Sequence, residues 1–204
     1  MIGRQLTAEA PSLAATYDWS ALGEVIDVGG GDGSLLIALL RAHPTLRGTV
    51  LDLASPAATA ARALASAGLA DRGRAQTGSF FEPLPAGAGG YILSRLTSDW
   101  DDDHLVRILR NCAHAAWPNA KVLVVEDTER GSASTEHDLR MLAYFLGRER
   151  SLDRLTDLAH QAGLALGTVT PTRFRSIIEF LPDQTRRTPV DDLPAGTADP
   201  TRGA

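Results

Sequence analysis

Residues 24–34 read EVIDVGGGDGS, an apolar run that contains an acid and passes into four glycines within five positions. Such a strand-to-helix turn presents free backbone N–H groups and a helix N-terminus to a ligand. A second acid, Asp52, closes the next apolar run, TVLDL. A carboxylate there can accept two hydrogen bonds from the vicinal hydroxyls of a ribose. The pattern predicts a nucleoside cofactor. A turn without a ligand is the weaker interpretation, because closely spaced glycines are entropically costly.

The glycine spacing bears on which cofactor this turn would bind. A dinucleotide fingerprint, G-x-G-x-x-G, seats a pyrophosphate at a helix N-terminus. Here the glycines stand at Gly29, Gly30, Gly31 and Gly33, and Ser34 holds the place of the third fingerprint glycine. A nucleoside without a pyrophosphate fits better, and S-adenosylmethionine is the common one. The spacing therefore favours S-adenosylmethionine and leaves NAD as the alternative.

Composition and charge narrow the range of partners. The chain has 204 residues, of which 44% are hydrophobic and 22% charged, with a formal net charge of -5. This length favours one globular domain. The arginine-rich pieces are short and interrupted, so they offer no basic surface to phosphates and nucleic acid is not an expected partner. Since no apolar run has the length of a membrane span, we expect a cytoplasmic protein that acts on a small molecule.

Strand-like and helix-like patterns alternate along the first two thirds of the chain. The predicted elements are a helix at 8–16, a strand at 25–28, a helix at 34–42, a strand at 49–53, a helix at 57–67, strands at 74–77 and 91–94, a helix at 102–116 and a strand at 121–126. This order predicts an α/β fold with a doubly wound parallel sheet and a ligand at the carboxyl ends of the strands. Asp27, Asp52, Ser94 and Glu126 stand at such ends.

The last third of the chain has a different pattern. Helices at 135–145 and 152–162 lead to two consecutive strands at 165–170 and 174–180. Two strands without a crossover helix must pair antiparallel. From residue 182 to 204 the chain is poor in apolar residues, which predicts a disordered tail. We therefore expect one cofactor-binding domain over residues 1–181, with residues 1–20 as a helical lead-in.

Several segments resemble the class I S-adenosylmethionine-dependent small-molecule O-methyltransferase family of plant phenylpropanoid and bacterial polyketide pathways. They are VIDVGGGDGS, LRGTVLDL, GSFFEPLP, YILSRLTSDWDDD, VRILRNC, KVLVVE and GRERS. The resemblance runs from about residue 6 to residue 182, in family order and spacing. It implies the Rossmann-like seven-stranded methyltransferase sheet, with helices on both faces and a C-terminal antiparallel hairpin.

The resemblance also implies roles for the cofactor-binding residues. In the family the glycine loop lies along the methionine part of S-adenosylmethionine, the acid after the second strand binds the ribose, and the segment at 78–81 flanks the adenine. The implied set is Asp27, Gly29, Gly30, Gly31, Asp52, Leu53, Ser79, Phe80, Ser94 and Arg95. Ser94 and Arg95 match positions beside the sulfonium and carboxylate end. For Phe80, stacking on adenine and a place in the core both stay open.

The residues before the helix at 102–116 depart from the family pattern. Relatives that methylate a phenol read HDW, and the histidine deprotonates the acceptor hydroxyl; this chain reads Ser98-Asp99-Trp100. A serine hydroxyl has little basicity at neutral pH, so the base is missing from its expected place. The two carboxylates that hold this histidine in the family match Glu126 and Glu149. Asp99 is the remaining candidate base, for acceptors that ionise readily.

The acceptor side is expected to include Trp100, Met141, Tyr144 and Phe145, although at helical spacing the last three fit a core equally well. The run DWDDDH also invites comparison with the metal site of catechol methyltransferases. Ligands that alternate around a tryptophan would not converge on one ion, so no metal is predicted. His104 and the acids at 101–103 are better interpreted as a solvated helix N-terminus.

Three functions stay open at this point. The first is an O-methyltransferase for a small hydroxylated aromatic or polyketide metabolite; the second is a homologue that uses the bound sulfonium for non-methylating chemistry. The third is a pseudoenzyme or partner subunit. Family members carry a helical dimerisation domain before the cofactor-binding part. Because this domain does not precede Met1, we expect that it is encoded elsewhere, that it was lost, or that the chain is a fragment of a longer protein. A homodimer and a separate partner that supplies the N-terminal domain both stay open.

Overall fold

The computed structural model describes residues 2–126, 150–173 and 175–185. The helices are α1 (Ile2–Thr16), α2 (Ser34–Ala42), α3 (Ala54–Ser66), α4 (Asp102–Ala116) and α5 (Leu152–Gln161). The strands are β1 (Glu24–Val28), β2 (Arg47–Asp52), β3 (Gly73–Thr77), β4 (Gly90–Ser94), β5 (Lys121–Glu126), β6 (Leu164–Pro171) and β7 (Ser176–Pro182). Short 3-10 turns cover Trp19–Leu22 and Thr97–Asp99.

The seven strands form one sheet in the order β3-β2-β1-β4-β5-β7-β6. The pairs among β1 to β5 are parallel, whereas β7 runs antiparallel to both β5 and β6. This arrangement confirms the predicted doubly wound sheet and its antiparallel C-terminal hairpin. The predicted helix at 135–145 and the residues from 186 onward lie outside the described residues.

Several element boundaries differ from those predicted; helix α1, for example, begins at Ile2 rather than at residue 8. Three of the other differences have a local reason. Helix α3 begins at Ala54 rather than residue 57, because Pro56 falls in the first turn, where its missing N–H is not needed. Strand β7 begins at Ser176 rather than residue 174, because just before it the Thr172 N–H donates to the Arg175 carbonyl at 2.7 Å. Pro182, predicted to open the tail, is buried as the last residue of β7.

Helices cover both faces of the sheet and enclose a core on each. One core lies between the sheet and α4 and α5; the apolar residues of α4, among them Leu105, Ile108, Leu109 and Cys112, recur at helical spacing and are fully buried. The second core joins α1 and α2 to the opposite face, where Trp19 is buried and donates its Nε1–H to the Leu13 carbonyl. None of the helices in the described part of the chain is long and apolar enough to span a membrane.

The parallel strands β1, β2, β4 and β5 end along the same edge of the sheet. Asp27, Asp52, Ser94 and Glu126 therefore meet at this edge, as the strand order predicts. The turn of Thr97–Asp99 follows β4 directly and leads into α4. This edge places the candidate cofactor-binding and catalytic residues together.

Candidate active site

The glycine loop folds back across the end of β2. Gly31 adopts a φ of 58°, and its N–H donates to Asp52 Oδ2 at 2.8 Å. Residues with a side chain rarely adopt this left-handed conformation. At Gly30 the constraint is space, because an added Cβ would lie 2.5 Å from Asp27 Oδ2. The loop is therefore shaped by close backbone approach to two carboxylates.

Asp52 is held in place by backbone donors on both oxygens. Gly31 donates to Oδ2, and the Leu53 N–H donates to Oδ1 at 2.7 Å. Each oxygen keeps a further lone pair, so the carboxylate can still accept hydrogen bonds from two vicinal hydroxyls. Leu53 itself is 59% exposed and offers an apolar surface beside this carboxylate.

Asp27 lies fully buried under the loop, and neither of its carboxylate oxygens has a hydrogen-bond partner. Burial, with smaller contributions from the charges of Asp52 and Asp32, raises the pKa of Asp27 to about 7. A buried carboxylate of this kind favours a cationic partner. The glycine loop thus lies over one buried carboxylate without a hydrogen-bond partner and beside a second carboxylate that can accept further hydrogen bonds.

The raised pKa of Asp27 predicts a pH-dependent stability. In the unfolded chain an aspartate ionises near pH ~3.9, so between that value and about 7 the folded state binds the additional proton. The free energy of unfolding therefore falls as the pH rises through this window. We expect Asp27→Asn to lack this pH-dependent loss. The free energy of unfolding of the variant minus that of the wild type should therefore be about 2–3 kcal/mol larger at pH 8 than at pH 5.

Urea unfolding at pH 5 and pH 8 measures this difference. Asp71→Asn, a change at a side chain that is 73% exposed, provides the matched control. A gain for the Asp27 variant that is the same at both pH values would contradict the prediction.

An aromatic cluster of Phe80, Phe81, Trp100 and His104 borders the loop. The ring centroids of Phe81 and Trp100 are 4.7 Å apart, and those of Phe80 and Trp100 are 5.7 Å apart, both in edge-to-face contact. Phe80 is half-buried, and an added Cβ on Gly29 would lie 3.6 Å from its Cε1. Phe80 thus packs against the core and also flanks the glycine loop, and its stacking on adenine stays a prediction.

Helix α4 anchors the backbone of this aromatic cluster. The Phe80 carbonyl accepts from Asn111 Nδ2 at 3.0 Å, and the Phe81 carbonyl accepts from Arg107 Nη2 at 2.8 Å. The Ser79 hydroxyl oxygen accepts from the Phe81 N–H at 3.2 Å. Its hydroxyl hydrogen stays available for a ligand.

Glu126 supports the turn that carries Ser98 and Asp99. Its Oε1 accepts from the N–H of Thr97 at 3.2 Å and from the Thr97 hydroxyl at 2.7 Å. Burial raises the pKa of Glu126, while the hydrogen bonds from Thr97 and the charge of Arg175 oppose this rise. The carboxylate predicted to hold a catalytic base at position 98 therefore holds the backbone next to it.

Arg150 is a site residue that the sequence did not single out. Its guanidinium donates to the Thr97 carbonyl at 2.6 Å and to the Trp100 carbonyl at 2.7 Å. It also pairs with Asp102 through Nε at 2.9 Å. Arg150 and Glu126 thus both hold this turn, Glu126 through the N–H and hydroxyl of Thr97 and Arg150 through the carbonyls of Thr97 and Trp100. The available signal was its position in the segment GRERS, beside Glu149.

The remaining predicted site residues divide between the described and the masked parts of the chain. Glu149, Met141, Tyr144 and Phe145 lie outside the described residues. Asp99 is half-buried; burial raises its pKa, and the charge of Arg95 lowers it. Ser94 and Arg95 stand at the end of β4, on the same edge as the glycine loop.

The acids around Trp100 are used within the fold. Asp101 caps α4 by accepting from the His104 N–H at 2.9 Å, and it contacts His104 Nδ1 at 2.7 Å. Asp102 pairs with Arg150 and Arg154. Over residues 2–126, 150–173 and 175–185, no group of three or more histidine, cysteine, aspartate or glutamate side chains could hold a metal ion.

Comparisons with known proteins identify the family of this chain. The family model described as "O-methyltransferase domain" matches residues 4–165. The chain is 52% identical over 181 residues to the 2,7-dihydroxy-5-methyl-1-naphthoate 7-O-methyltransferase of Streptomyces carzinostaticus, covering 88% of the chain and 54% of that protein. It is 45% identical over 188 residues to the aclacinomycin 10-hydroxylase RdmB of Streptomyces purpurascens, covering 86% of the chain and 50% of that protein.

The solved structure of a related O-methyltransferase also matches the fold of this chain. The O-methyltransferase NcsB1 of neocarzinostatin biosynthesis, in complex with S-adenosylmethionine and 2-hydroxy-5-methyl naphthoic acid, superposes with a TM-score of 0.85 at 51% identity. The match covers 89% of this chain and 55% of that chain. The chain thus spans about half the length of the relatives it matches.

Proposed function

Because the chain belongs to the O-methyltransferase domain family, we propose that it is the cofactor-binding part of an S-adenosylmethionine-dependent enzyme that methylates a hydroxyl group of a naphthoate-like aromatic polyketide. The observation that carries the proposal is the pair of carboxylates, Asp27 and Asp52, held against the glycine loop. The naphthoate methyltransferase at 52% identity supports the acceptor class. We further propose that the acceptor pocket draws on residues from a second copy or a partner domain.

The residues present fit S-adenosylmethionine. When bound, this cofactor supplies an electrophilic methyl group on a positively charged sulfur. Asp27, buried and without a partner, suits an ammonium group, and Asp52 suits a ribose diol. The exposed side chain of Leu53 and the ring of Phe80 would cover the adenine. Each of these residues would bind and orient the cofactor rather than take part in bond making.

The residues at positions 98 and 99 bear on which hydroxyl groups this chain would methylate. Ser98 offers no base, and a positioned base typically contributes about 10²–10⁴-fold in rate. Asp99 directly follows Ser98 in the chain, and burial raises its pKa, which makes it a better proton acceptor than an exposed aspartate. We therefore propose a slow enzyme that prefers phenols of low pKa.

Transfer of a labelled methyl group tests this function. The full chain is incubated with methyl-labelled S-adenosylmethionine and a panel of hydroxylated naphthoates, and label in the organic product is counted. We expect transfer to the most acidic phenols, and its loss in Asp52→Ala. Binding of the cofactor without transfer to any acceptor would contradict the proposal.

The pKa of Asp27 predicts how cofactor affinity depends on pH. Below about 7 the buried carboxyl is neutral and no longer attracts a cation. We therefore expect the affinity for S-adenosylmethionine to fall about tenfold between pH 8 and pH 6, as linkage to a single proton requires. Calorimetric titration at both pH values measures it, and Asp27→Asn should bind weakly at both. An affinity that is independent of pH would contradict the assignment of Asp27.

A second candidate function is non-methylating chemistry on the same cofactor. Two observations favour it: Ser98 replaces the expected base, and a relative at 45% identity is named a hydroxylase. A fixed positive charge at the site would stabilise negative charge that develops on the substrate. Turnover of the acceptor without formation of S-adenosylhomocysteine would favour this candidate.

A further inference from the structure

The turn that carries Ser98 is held in part by one buried carboxylate, that of Glu126. Its Oε1 accepts from the Thr97 N–H at 3.2 Å and from the Thr97 hydroxyl at 2.7 Å. The other oxygen of Glu126 faces Arg175, whose Nη1 lies 3.7 Å away. A buried carboxylate stays ionised where cations and hydrogen-bond donors replace the water that it has lost. The position of Arg175 therefore bears on how firmly Glu126 holds the turn.

The antiparallel strand β7 brings Arg175 to this edge of the sheet. The first residue of β7, Ser176, pairs with Glu126, the last residue of β5. Because β7 runs against β5, it begins at the edge where the parallel strands end. Just before β7, the Thr172 N–H donates to the Arg175 carbonyl at 2.7 Å, and Thr172 Oγ1 accepts from the Arg175 N–H at 3.1 Å. These hydrogen bonds and the register of β7 place Arg175 beside Glu126.

The same guanidinium also contacts helix α1. Arg175 Nε pairs with Glu9 Oε2 at 2.7 Å, and the two side chains are 16% and 15% exposed. Glu9 precedes the buried Ala10 and lies one helical turn before the buried Leu13, so it belongs to the side of α1 that packs on the protein. An ion pair largely removed from water is stronger than one on the surface. Arg175 thus connects an acid of the first helix with an acid of the candidate site.

The charges at this edge would be unbalanced without Arg175. The charged side chains that act on the guanidinium of Arg95 are those of Arg175, Glu9, Glu126 and Asp99. Burial and the charge of Asp99 raise the pKa of Glu126, whereas the hydrogen bonds from Thr97 and the charge of Arg175 lower it. Without Arg175 this group would hold three acids and one arginine, so Glu126 would ionise less readily. A neutral carboxyl group is a weaker acceptor for the Thr97 N–H than a carboxylate.

We propose that Arg175 is a positioning residue: through Glu9 and Glu126 it couples helix α1 to the turn of the candidate site. Arg175 acts on the turn through a carboxylate, so its role requires no contact with the cofactor or the acceptor. Its nearer contact is with Glu9, at 2.7 Å against 3.7 Å, so the two acids compete for one guanidinium. The consequence for methyl transfer rests on the proposed function, whereas the coupling between helix and turn is a property of the folded chain.

A second contact between the α1 region and the sheet provides the control. The hydroxyl of Tyr17, directly after α1, donates to Glu179 Oε2 at 2.7 Å, and Lys121 Nζ donates to the same oxygen at 2.8 Å. Lys121 begins β5, so this cluster lies at the opposite end of that strand from Glu126. Tyr17→Phe therefore weakens the contact of this region with the sheet and leaves the carboxylate that holds Thr97 untouched.

Exchange of the Thr97 amide proton with solvent tests the coupling without any turnover. The isotope-labelled full chain is followed by NMR at Thr97 and at Leu93, a buried residue of β4 that reports opening of the sheet. We expect Arg175→Met to exchange about tenfold faster at Thr97 than the wild type, because the N–H loses a charged acceptor. The rate at Leu93 should change much less.

Two further variants make this measurement specific. Arg175→Lys keeps the positive charge, so it should restore slow exchange at Thr97 at least in part. Tyr17→Phe should leave the Thr97 rate within about twofold of that of the wild type. The proposal is overturned if Arg175→Met exchanges like the wild type at Thr97, if Thr97 and Leu93 accelerate equally, or if the methionine and lysine variants behave alike. An equal acceleration by Tyr17→Phe overturns it as well.

Glu9→Gln tests whether the coupling reaches α1. Without the charge of Glu9, the guanidinium is free to move onto Glu126, so we expect slower exchange at Thr97 than in the wild type. The same change in the Arg175→Met background should have no effect, because the path passes through Arg175. Acceleration that requires Arg175 would also demonstrate coupling, with Glu9 holding the guanidinium in place. No change in either background, or the same change in both, would overturn the link to α1.

A rate measurement separates this inference from the proposed function. If the wild type transfers methyl groups, Arg175→Met should lower the single-turnover rate while its affinity for S-adenosylmethionine stays within about twofold of that of the wild type. Absence of transfer by the wild type would contradict the proposed function and leave the exchange rates to decide the coupling. If Arg175→Met does not fold, as judged by circular dichroism, Glu9→Gln is compared with the double variant Glu9→Gln/Arg175→Met, which buries one acid fewer. Equal exchange at Thr97 in these two would overturn the proposal.

Discussion

Ser98→His is expected to raise the rate of methyl transfer to a phenol by about 10²–10⁴-fold, the usual contribution of a positioned general base. The imidazole would stand in the turn that leads into α4, next to the half-buried Asp99 and Trp100. Its neutral form is abundant at pH 7–8, so it would accept the phenol proton that serine cannot. The gain should be largest for phenols of high pKa.

The structure gives a reason to expect that the new side chain would be well placed. The neighbouring residue Thr97 is fixed through its N–H and hydroxyl by Glu126 and through its carbonyl by Arg150. These contacts involve no atom of the side chain at position 98, so the substitution leaves them intact.

Single-turnover rates with labelled S-adenosylmethionine measure the effect. Ser98→Ala is the matched control and should stay within about threefold of the wild type, because a hydroxyl that is not a base contributes little. Equal rates for the histidine variant and the wild type would mean that position 98 does not face the acceptor. A large loss in Ser98→Ala would mean that the serine itself participates.

Arg150→Met is expected to lower the free energy of unfolding by about 3–5 kcal/mol, the range for removing one partner of a buried ion pair. The Arg150 side chain is only 3% exposed. Its loss leaves the carbonyls of Thr97 and Trp100 without their donor and weakens the pairing of Asp102. The turn that carries Ser98 would lose its hydrogen bonds to Arg150 and keep those to Glu126.

Arg154 provides a matched control on the same carboxylate. It contacts Asp102 at 2.6 Å, but its side chain is 44% exposed. Exposed ion pairs contribute little to stability because water screens them, so Arg154→Met should have little effect. Urea unfolding of both variants measures the difference. Losses of equal size would contradict the view that burial and the two backbone carbonyls make Arg150 structurally important.

The strand order and the cofactor edge were predictable because their signals are local. The glycine loop, Asp27 and Asp52 lie within one strand–helix–strand unit, where the alternation of apolar runs fixes which residues end the strands. The antiparallel hairpin followed from two strand patterns without an intervening helix. These elements depend on short stretches of sequence and the connectivity between them.

Long-range contacts were not predictable in the same way. Arg150 reaches Thr97 across 53 residues, and no periodicity connects the two positions. The contacts of Glu126 were not predictable either. The family pattern implied that this carboxylate supports a side chain at position 98, whereas in the structure it accepts hydrogen bonds from Thr97. A sequence pattern identifies which residue types stand at the site, but packing decides which atoms they contact.

Asp27 illustrates a conflict between stability and binding. Its burial without a partner destabilises the folded chain above neutral pH, yet the same ionised carboxylate suits a cationic group of the cofactor. We therefore expect Asp27→Asn to be more stable and less able to bind S-adenosylmethionine. If this variant is both more stable and weaker in binding, the same carboxylate lowers the stability of the free chain and contributes to binding of the cofactor.

The central proposal is that this chain supports methyl transfer from S-adenosylmethionine, and the ratio of products tests it most directly. The full chain is incubated with S-adenosylmethionine and an acidic hydroxynaphthoate, and methylated product and S-adenosylhomocysteine are quantified together by mass spectrometry. The account predicts equal amounts of the two, formed slowly. A transformed acceptor without S-adenosylhomocysteine, or no transformed acceptor at all, would contradict it.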